Sequence, residues 1–183
     1  NDCVKNIVSH ASSVNTHIFD KCDSLTDIEV DYFWTNMFSN CSNLKTAKNN
    51  RAISSGTGDN VFYNDKALES VILADGITII GTAVFYGCTS LKTVYLPSSI
   101  TTATNSSLTS TSSSYYIFYN CTALEDVQLG QDWNMSLRLN VSNNLTVDSM
   151  VAMFNSLKDL TGETTKILTL GSTNLAKLSD KQK

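Results

Sequence analysis

The residues in which chemistry could reside are few. Cys3, Cys22, Cys41, Cys88 and Cys121 are the cysteines, and His10 and His17 the histidines. A zinc site needs four converging nitrogen or sulfur ligands, as a rule from close Cys-x-x-Cys or His-x-x-x-His pairs. No two of these cysteines are closer than 19 residues, and the histidines stand seven apart with no thiol pair beside them, so no metal site is expected. Gly-x-Ser-x-Gly, His-Glu-x-x-His, Walker and dinucleotide glycine signatures do not occur. Serine is so abundant that any Ser-His-Asp assignment is arbitrary. No catalytic residue and no cofactor is assigned, and an enzyme is not expected. Six Asn-x-Ser/Thr sequons, at Asn40, Asn105, Asn120, Asn134, Asn140 and Asn144, matter only in a eukaryotic host. Tyr32-Phe33-Trp34 and Trp133 are candidates for a sugar-stacking platform or, as the favoured reading, for core.

The elements that hold these residues must fit in 183 positions, the length of one compact unit or one repeat array. Thirteen Lys and Arg against 17 Asp and Glu give a net charge of −4, which lacks the basic excess of a nucleic-acid or anionic-membrane binder. Ser, Thr and Asn supply 63 residues, so the surface is expected to be rich in neutral hydroxyls and amides. Apolar residues at 42% suffice for a core, yet no run approaches the ~18 to 20 of a membrane-spanning helix. Ser179 and Gln182 have the spacing of a helix capping box just where the chain stops. The chain therefore reads as a piece of a longer polypeptide.

A repeat runs through the sequence. An apolar residue followed by Phe recurs at Phe19, Phe38, Phe62, Phe85, Phe118 and Phe154. Three residues after each stands Cys22, Cys41, Asp65, Cys88, Cys121 or Leu157, and six after stands Leu25, Leu44, Leu68, Leu91, Leu124 or Leu160. Four copies continue to a branched residue at the ninth position (Ile28, Val71, Val94, Val127) and an apolar one at the eleventh (Val30, Leu73, Leu96, Leu129). Copy two keeps only Ala47, and copy six departs. Spacing of three places one stripe on a short helical or turn segment, whereas alternation at nine and eleven is that of a half-buried strand. Such a unit cannot bury its own apolar face and needs stacked neighbours. Because Cys22, Cys41, Cys88 and Cys121 share one inward slot, they are expected to be buried free thiols rather than disulfides.

Val84-Phe85-Tyr86-Gly87-Cys88-Thr89-Ser90-Leu91-Lys92-Thr93-Val94-Tyr95-Leu96-Pro97 resembles the repeat of BspA-like leucine-rich repeat proteins, and Ile117 to Leu129 resembles it nearly as well. Gly76-Ile77-Thr78-Ile79-Ile80-Gly81 is similar to that family's descending strand. The resemblance covers 18–130, and 145–183 is a divergent C-terminal repeat, expected to be truncated. It implies an α/β fold: a right-handed solenoid with a parallel sheet of short strands on its concave face and short helices or turns on the convex face. It also implies a secreted or cell-surface protein, commonly bacterial, associated with adhesion and protein binding.

Four further expectations concern particular segments. The Ser/Thr-rich insertion at 98–114 is expected to be a solvated loop, with Tyr115 and Tyr116 packing at its return. Thr146 is the expected N-cap of the longest helix, running to Gly162. Residues 166–170 read as another strand. The first 17 residues form a broken first repeat. If the strand register holds, Glu29, Lys48, Ile72, Tyr95, Gln128 and, less surely, Thr169 form one row on the concave surface, and Asp27, Thr46, Ser70, Thr93 and Asp126 a second. These rows are the candidate binding residues, with Tyr95 and Ile72 as anchors for a protein or cell-surface ligand. The competing reading is a structural spacer or building block of a cell-envelope or virion appendage.

Overall fold

The computed structural model describes residues 6–9, 16–51, 56–112 and 114–182, the first of these as backbone alone. Calls that involve Cys3 and His10 lie outside the described residues. Six short strands, β1 (Asn6–Ser9), β2 (Asp27–Val30), β3 (Thr46–Asn49), β4 (Ser70–Ile72), β6 (Thr93–Leu96) and β8 (Asp126–Leu129), form one sheet in the order β1-β2-β3-β4-β6-β8. Every pair is parallel, and equivalent repeat positions face one another: Ile28 pairs with Ala47, Ala47 with Val71, Val71 with Val94 and Val94 with Val127. This is the arrangement of a leucine-rich repeat solenoid, in which each coil contributes one strand and returns across the core.

The core sits between that sheet and the turns that follow each repeat Phe. Phe19, Phe38, Phe62, Phe85 and Phe118 stack in one column, with centroid spacings of 5.4, 5.9, 5.9 and 5.5 Å and interplanar angles of 8°, 9°, 5° and 18°. Phe33 meets Phe38 and Phe62 edge-on, at 6.3 and 4.9 Å. Leu25, Leu44, Leu68, Leu91 and Leu124 are buried in a parallel column. At the eleventh position of copy two, Asn49 replaces an aliphatic residue. It is buried without orphan groups, its amide donating to the Arg51 carbonyl at 2.9 Å and its oxygen accepting from the Ala74 N–H at 2.8 Å.

On the turn side, main-chain bonds join the coils a second time. The N–H of Phe19, Phe38, Phe62 and Phe85 donates to the carbonyl of Met37, Val61, Val84 and Ile117 respectively, at 2.9 to 3.0 Å. Two residues on, Lys21, Asn40, Asn64 and Gly87 donate to Ser39, Tyr63, Tyr86 and Tyr119 at 2.7 to 2.9 Å. All four of these donors lie in the left-handed region, with φ of 60°, 62°, 62° and 74°. That conformation turns the N–H toward the next coil and costs little for Asn and Gly. At Gly87 a Cβ would also approach Asn64 Oδ1 to 2.3 Å.

Four expectations need correction. First, the coil expected at Phe154 does not form. The described residues before Phe19 contribute strand β1, while the C-terminal copy becomes helix α1 (Val147–Asn155) packed on β8. Phe154 is only half buried and outside the ring column, and Leu157 is exposed. Thr146 caps α1 as expected, accepting from the Ser149 N–H at 3.1 Å. The helix nevertheless stops seven residues before Gly162. Ser156 bonds back to the Ala152 carbonyl at 2.9 Å, its own carbonyl accepts from Trp133 N–H at 2.9 Å, and Lys158 N–H donates to Trp133 at 3.0 Å. A bridge to the Trp133 segment thus competes with further helical turns.

Second, the insertion is largely folded. Ile100 and Leu108 are buried, and Thr102–Ala103 (β7) pairs in parallel with Ile79–Ile80 (β5), the descending strand. Loop character is confined to its later part, and of the two returning tyrosines Tyr116 is buried but Tyr115 is exposed. Third, Leu168–Thr169 (β10) is a strand but pairs with Leu137–Arg138 (β9), so Thr169 opposes Arg138 and stands outside the predicted row. Fourth, Cys22 is disulfide-bonded, whereas Cys41, Cys88 and Cys121 are buried free thiols as expected. Phe33 and Trp133 belong to the core, with Tyr32 and Trp34 at its margin. Helix α2 (Ser172–Leu175) follows β10, anchored by Asn174, whose amide donates to the Ser142 and Leu170 carbonyls at 2.7 and 2.8 Å.

Candidate functional site: the outer face of the main sheet

Alternation along each strand sends the ninth and eleventh positions inward and their neighbours outward. In β2 and β3 the burial pattern is a strict exposed-buried alternation, and β6 and β8 follow it with partly covered outer residues. Parallel pairing in unshifted register then brings the outward residues into rows. Asp27, Thr46, Ser70, Thr93 and Asp126 are successive partners in one row, and Glu29, Lys48, Ile72, Tyr95 and Gln128 in the other. The structure thus brings together every residue assigned to the two rows except Thr169.

The row from Asp27 to Asp126 is polar throughout, whereas the row from Glu29 to Gln128 is polar at both ends and apolar in the middle. At the β2–β3 end, Thr46 donates to Asp27 at 2.6 Å and Lys48 lies 3.5 Å from Glu29 with both side chains half exposed. Such an exposed pair contributes little to stability. At the β8 end, Gln128 donates to Asp126 at 2.7 Å. Between them Ile72, 45% exposed on an otherwise polar face, stands directly beside Tyr95. The Tyr95 hydroxyl donates to Asp75 at 2.7 Å. Partial burial and that carboxylate push the phenol up to about 12, so it remains a neutral donor with a fixed ring position. Tyrosine is among the residue types enriched at protein-interface hot spots.

Sequence reasoning missed a second column, half-buried at Tyr63 and Tyr86 and exposed at Tyr119. Tyr63, Tyr86 and Tyr119, each following a repeat Phe, stack on the turn side at 4.5 and 4.8 Å with interplanar angles of 11° and 17°. Their fixed offset from Phe was the available signal. Because the rings cover one another's faces, the column presents mainly edges and hydroxyls. Among the described residues no group of three or more His, Cys, Asp and Glu is placed to hold a metal ion, and no helix is long and apolar enough to cross a membrane.

Two solved structures resemble this one. A leucine-rich cell surface protein from Faecalibacterium prausnitzii A2-165 is 28% identical, with a TM-score of 0.50 over 69% of this chain and 30% of its own. A leucine-rich repeat protein from Bacteroides ovatus ATCC 8483 is 21% identical, with a TM-score of 0.39 over 70% of this chain and 38% of its own. The chain therefore spans about a third of the length of each. No curated protein matches it. The BspA type leucine-rich repeat region, however, is matched in six copies over residues 4–56 and 55–136, a span that includes all six strands of the main sheet. The chain belongs to the BspA-type leucine-rich repeat family.

Proposed function

We propose that this chain is a non-enzymatic recognition module of a secreted or cell-surface bacterial protein, binding a protein or cell-surface ligand through the outer face of its main sheet. The observation that carries this reading is the pair of straight rows across five coils, with Ile72 and Tyr95 adjacent at their centre. A stacked core holds the strands rigidly, so a partner meets preorganised side chains and little conformational entropy is lost on binding. The cell-surface description of the F. prausnitzii protein supports the location. So does the disulfide at Cys22, since disulfides persist in oxidising compartments.

The test is binding of the purified chain to a panel of extracellular-matrix proteins and to intact epithelial cells. The double variant Ile72→Ser/Tyr95→Ser should lose at least about tenfold of whatever binding the wild type shows, an anchor-sized effect, with its unfolding transition retained. Undiminished binding by the double variant would overturn the assignment to this face. Self-assembly with no binding to any surface would favour the spacer reading instead.

A further inference from the structure

The slot three residues after each repeat Phe carries a second regularity. Cys41, Cys88 and Cys121 each donate a thiol hydrogen to the Phe carbonyl of the preceding coil, to Phe19, Phe62 and Phe85 in turn, at 3.0 Å in every case. Asp65 occupies the same slot in the coil of Phe62 and is 0% exposed. Its Oδ1 accepts from the Cys41 N–H at 2.7 Å, while its Oδ2 is buried with no hydrogen-bond partner. The carbonyl corresponding to the thiols' acceptors is that of Phe38, which meets a single N–H, from Cys41 at 3.2 Å.

An ionised carboxylate has only acceptors and cannot satisfy a carbonyl. A charge buried in this stack would need a cation, and Asp65 is in no ion pair among the described residues. The groups facing it are the Cys41 thiol from one coil and the Cys88 thiol from the other, with Asp20 beyond Cys41. All are neutral or negative. We infer that Asp65 is held as a neutral carboxylic acid whose Oδ2 hydrogen takes the place of the thiol hydrogen in the stack, which makes the coil carrying Ile72 a pH-sensitive joint in the array.

Electrostatics agree with the geometry. Burial holds the Asp65 carboxyl well above the usual range. The Cys41 amide opposes that rise, Asp20 adds to it, and the Asn40 amide opposes it. Burial also raises both neighbouring thiols, Cys41 to about 12, so neither acquires charge at ordinary pH. A carboxyl raised on folding stabilises the fold fully below its unfolded value of about 3.9, and that contribution is lost as pH rises through the folded value.

The experiment compares urea midpoints of the wild type, Asp65→Asn and Asp65→Cys across acid to alkaline pH with the Cys22 disulfide intact. Groups common to the three proteins cancel in the differences. The amide of Asn does not titrate and the thiol of Cys stays protonated below its free value of about 8.5, so up to that pH the wild-type midpoint should fall progressively relative to both variants as pH rises. The infrared difference between the wild type and Asp65→Asn at neutral pH should show a carboxylic-acid C=O band. Superimposable pH profiles, or a carboxylate signature for Asp65 in the folded protein at neutral pH, would overturn the inference. Should Asp65→Asn fail to fold, Asp65→Cys, a residue type the slot already holds in other coils, gives the same comparison.

Discussion

The coils from Phe19 to Phe118 and the segment from residue 130 onward both bury leucines, but they become ordered by different means. In the coils one side-chain column, one sheet and one turn-side ladder repeat at equal offsets, so each residue type is fixed by its position in the period. In the C-terminal segment the bonds that decide the path are single and distant: Ser149 Oγ accepts from Val127 N–H at 3.0 Å, Thr146 N–H donates to Glu125 at 2.9 Å, and Ser156 meets Trp133. The first kind of order can be read from spacing. The second depends on individual partners that no period announces.

The sharpest way to break this comparison is to truncate the two phenylalanines that share the motif but not the environment. Phe85→Ala should destabilise by about 3 to 5 kcal/mol, through lost burial and a cavity between two stacked rings. Phe154→Ala, at a half-buried helical position, should cost no more than about 1.5 kcal/mol, because much of its side chain already meets water. Equal losses in urea denaturation would show that Phe154 belongs to the column after all. Next in size is Ser149→Ala, which leaves the buried Val127 N–H at the sheet edge without its acceptor and should cost about 1 to 3 kcal/mol. Amide exchange at Val127 should accelerate more than at Val94, whose bonds lie within the sheet. The smallest effect is expected at Thr111→Ala, an exposed position late in the insertion, within about 0.5 kcal/mol.

Spacing alone carries the strand register, the Phe and Leu columns and the two outward rows, because a period of alternation admits one inward set per strand. It failed where an identity outweighed a position. Cys22 occupies the thiol slot like its counterparts, and nothing local distinguishes a bonded sulfur from a free one. Ile100 and Leu108 are isolated among serines and threonines, and the pairing of β7 with β5 that folds the insertion joins segments more than twenty residues apart, so their burial was not legible in the insertion itself. The left-handed asparagines and the tyrosine column were legible in principle. Asn40, Asn64 and Asn120 stand two residues after Phe, and Tyr63, Tyr86 and Tyr119 one residue after it, offsets as regular as those of the leucines. Of the candidate site, the alignment of the two rows could be read. The Asp75 bond that fixes Tyr95 could not, since it spans two coils.

Helix α1 takes its hold on the final strand of the main sheet through Ser149 and Thr146, and among the described residues no hydrogen bond ties it to an earlier strand. Array length and array ending are therefore separate parts of the design. Duplication or deletion of a whole unit upstream, between one Phe and the next, would leave this lid seated on the same strand. A lineage carrying such a gene could lengthen or shorten its reach by recombination without having to reinvent the means of stopping.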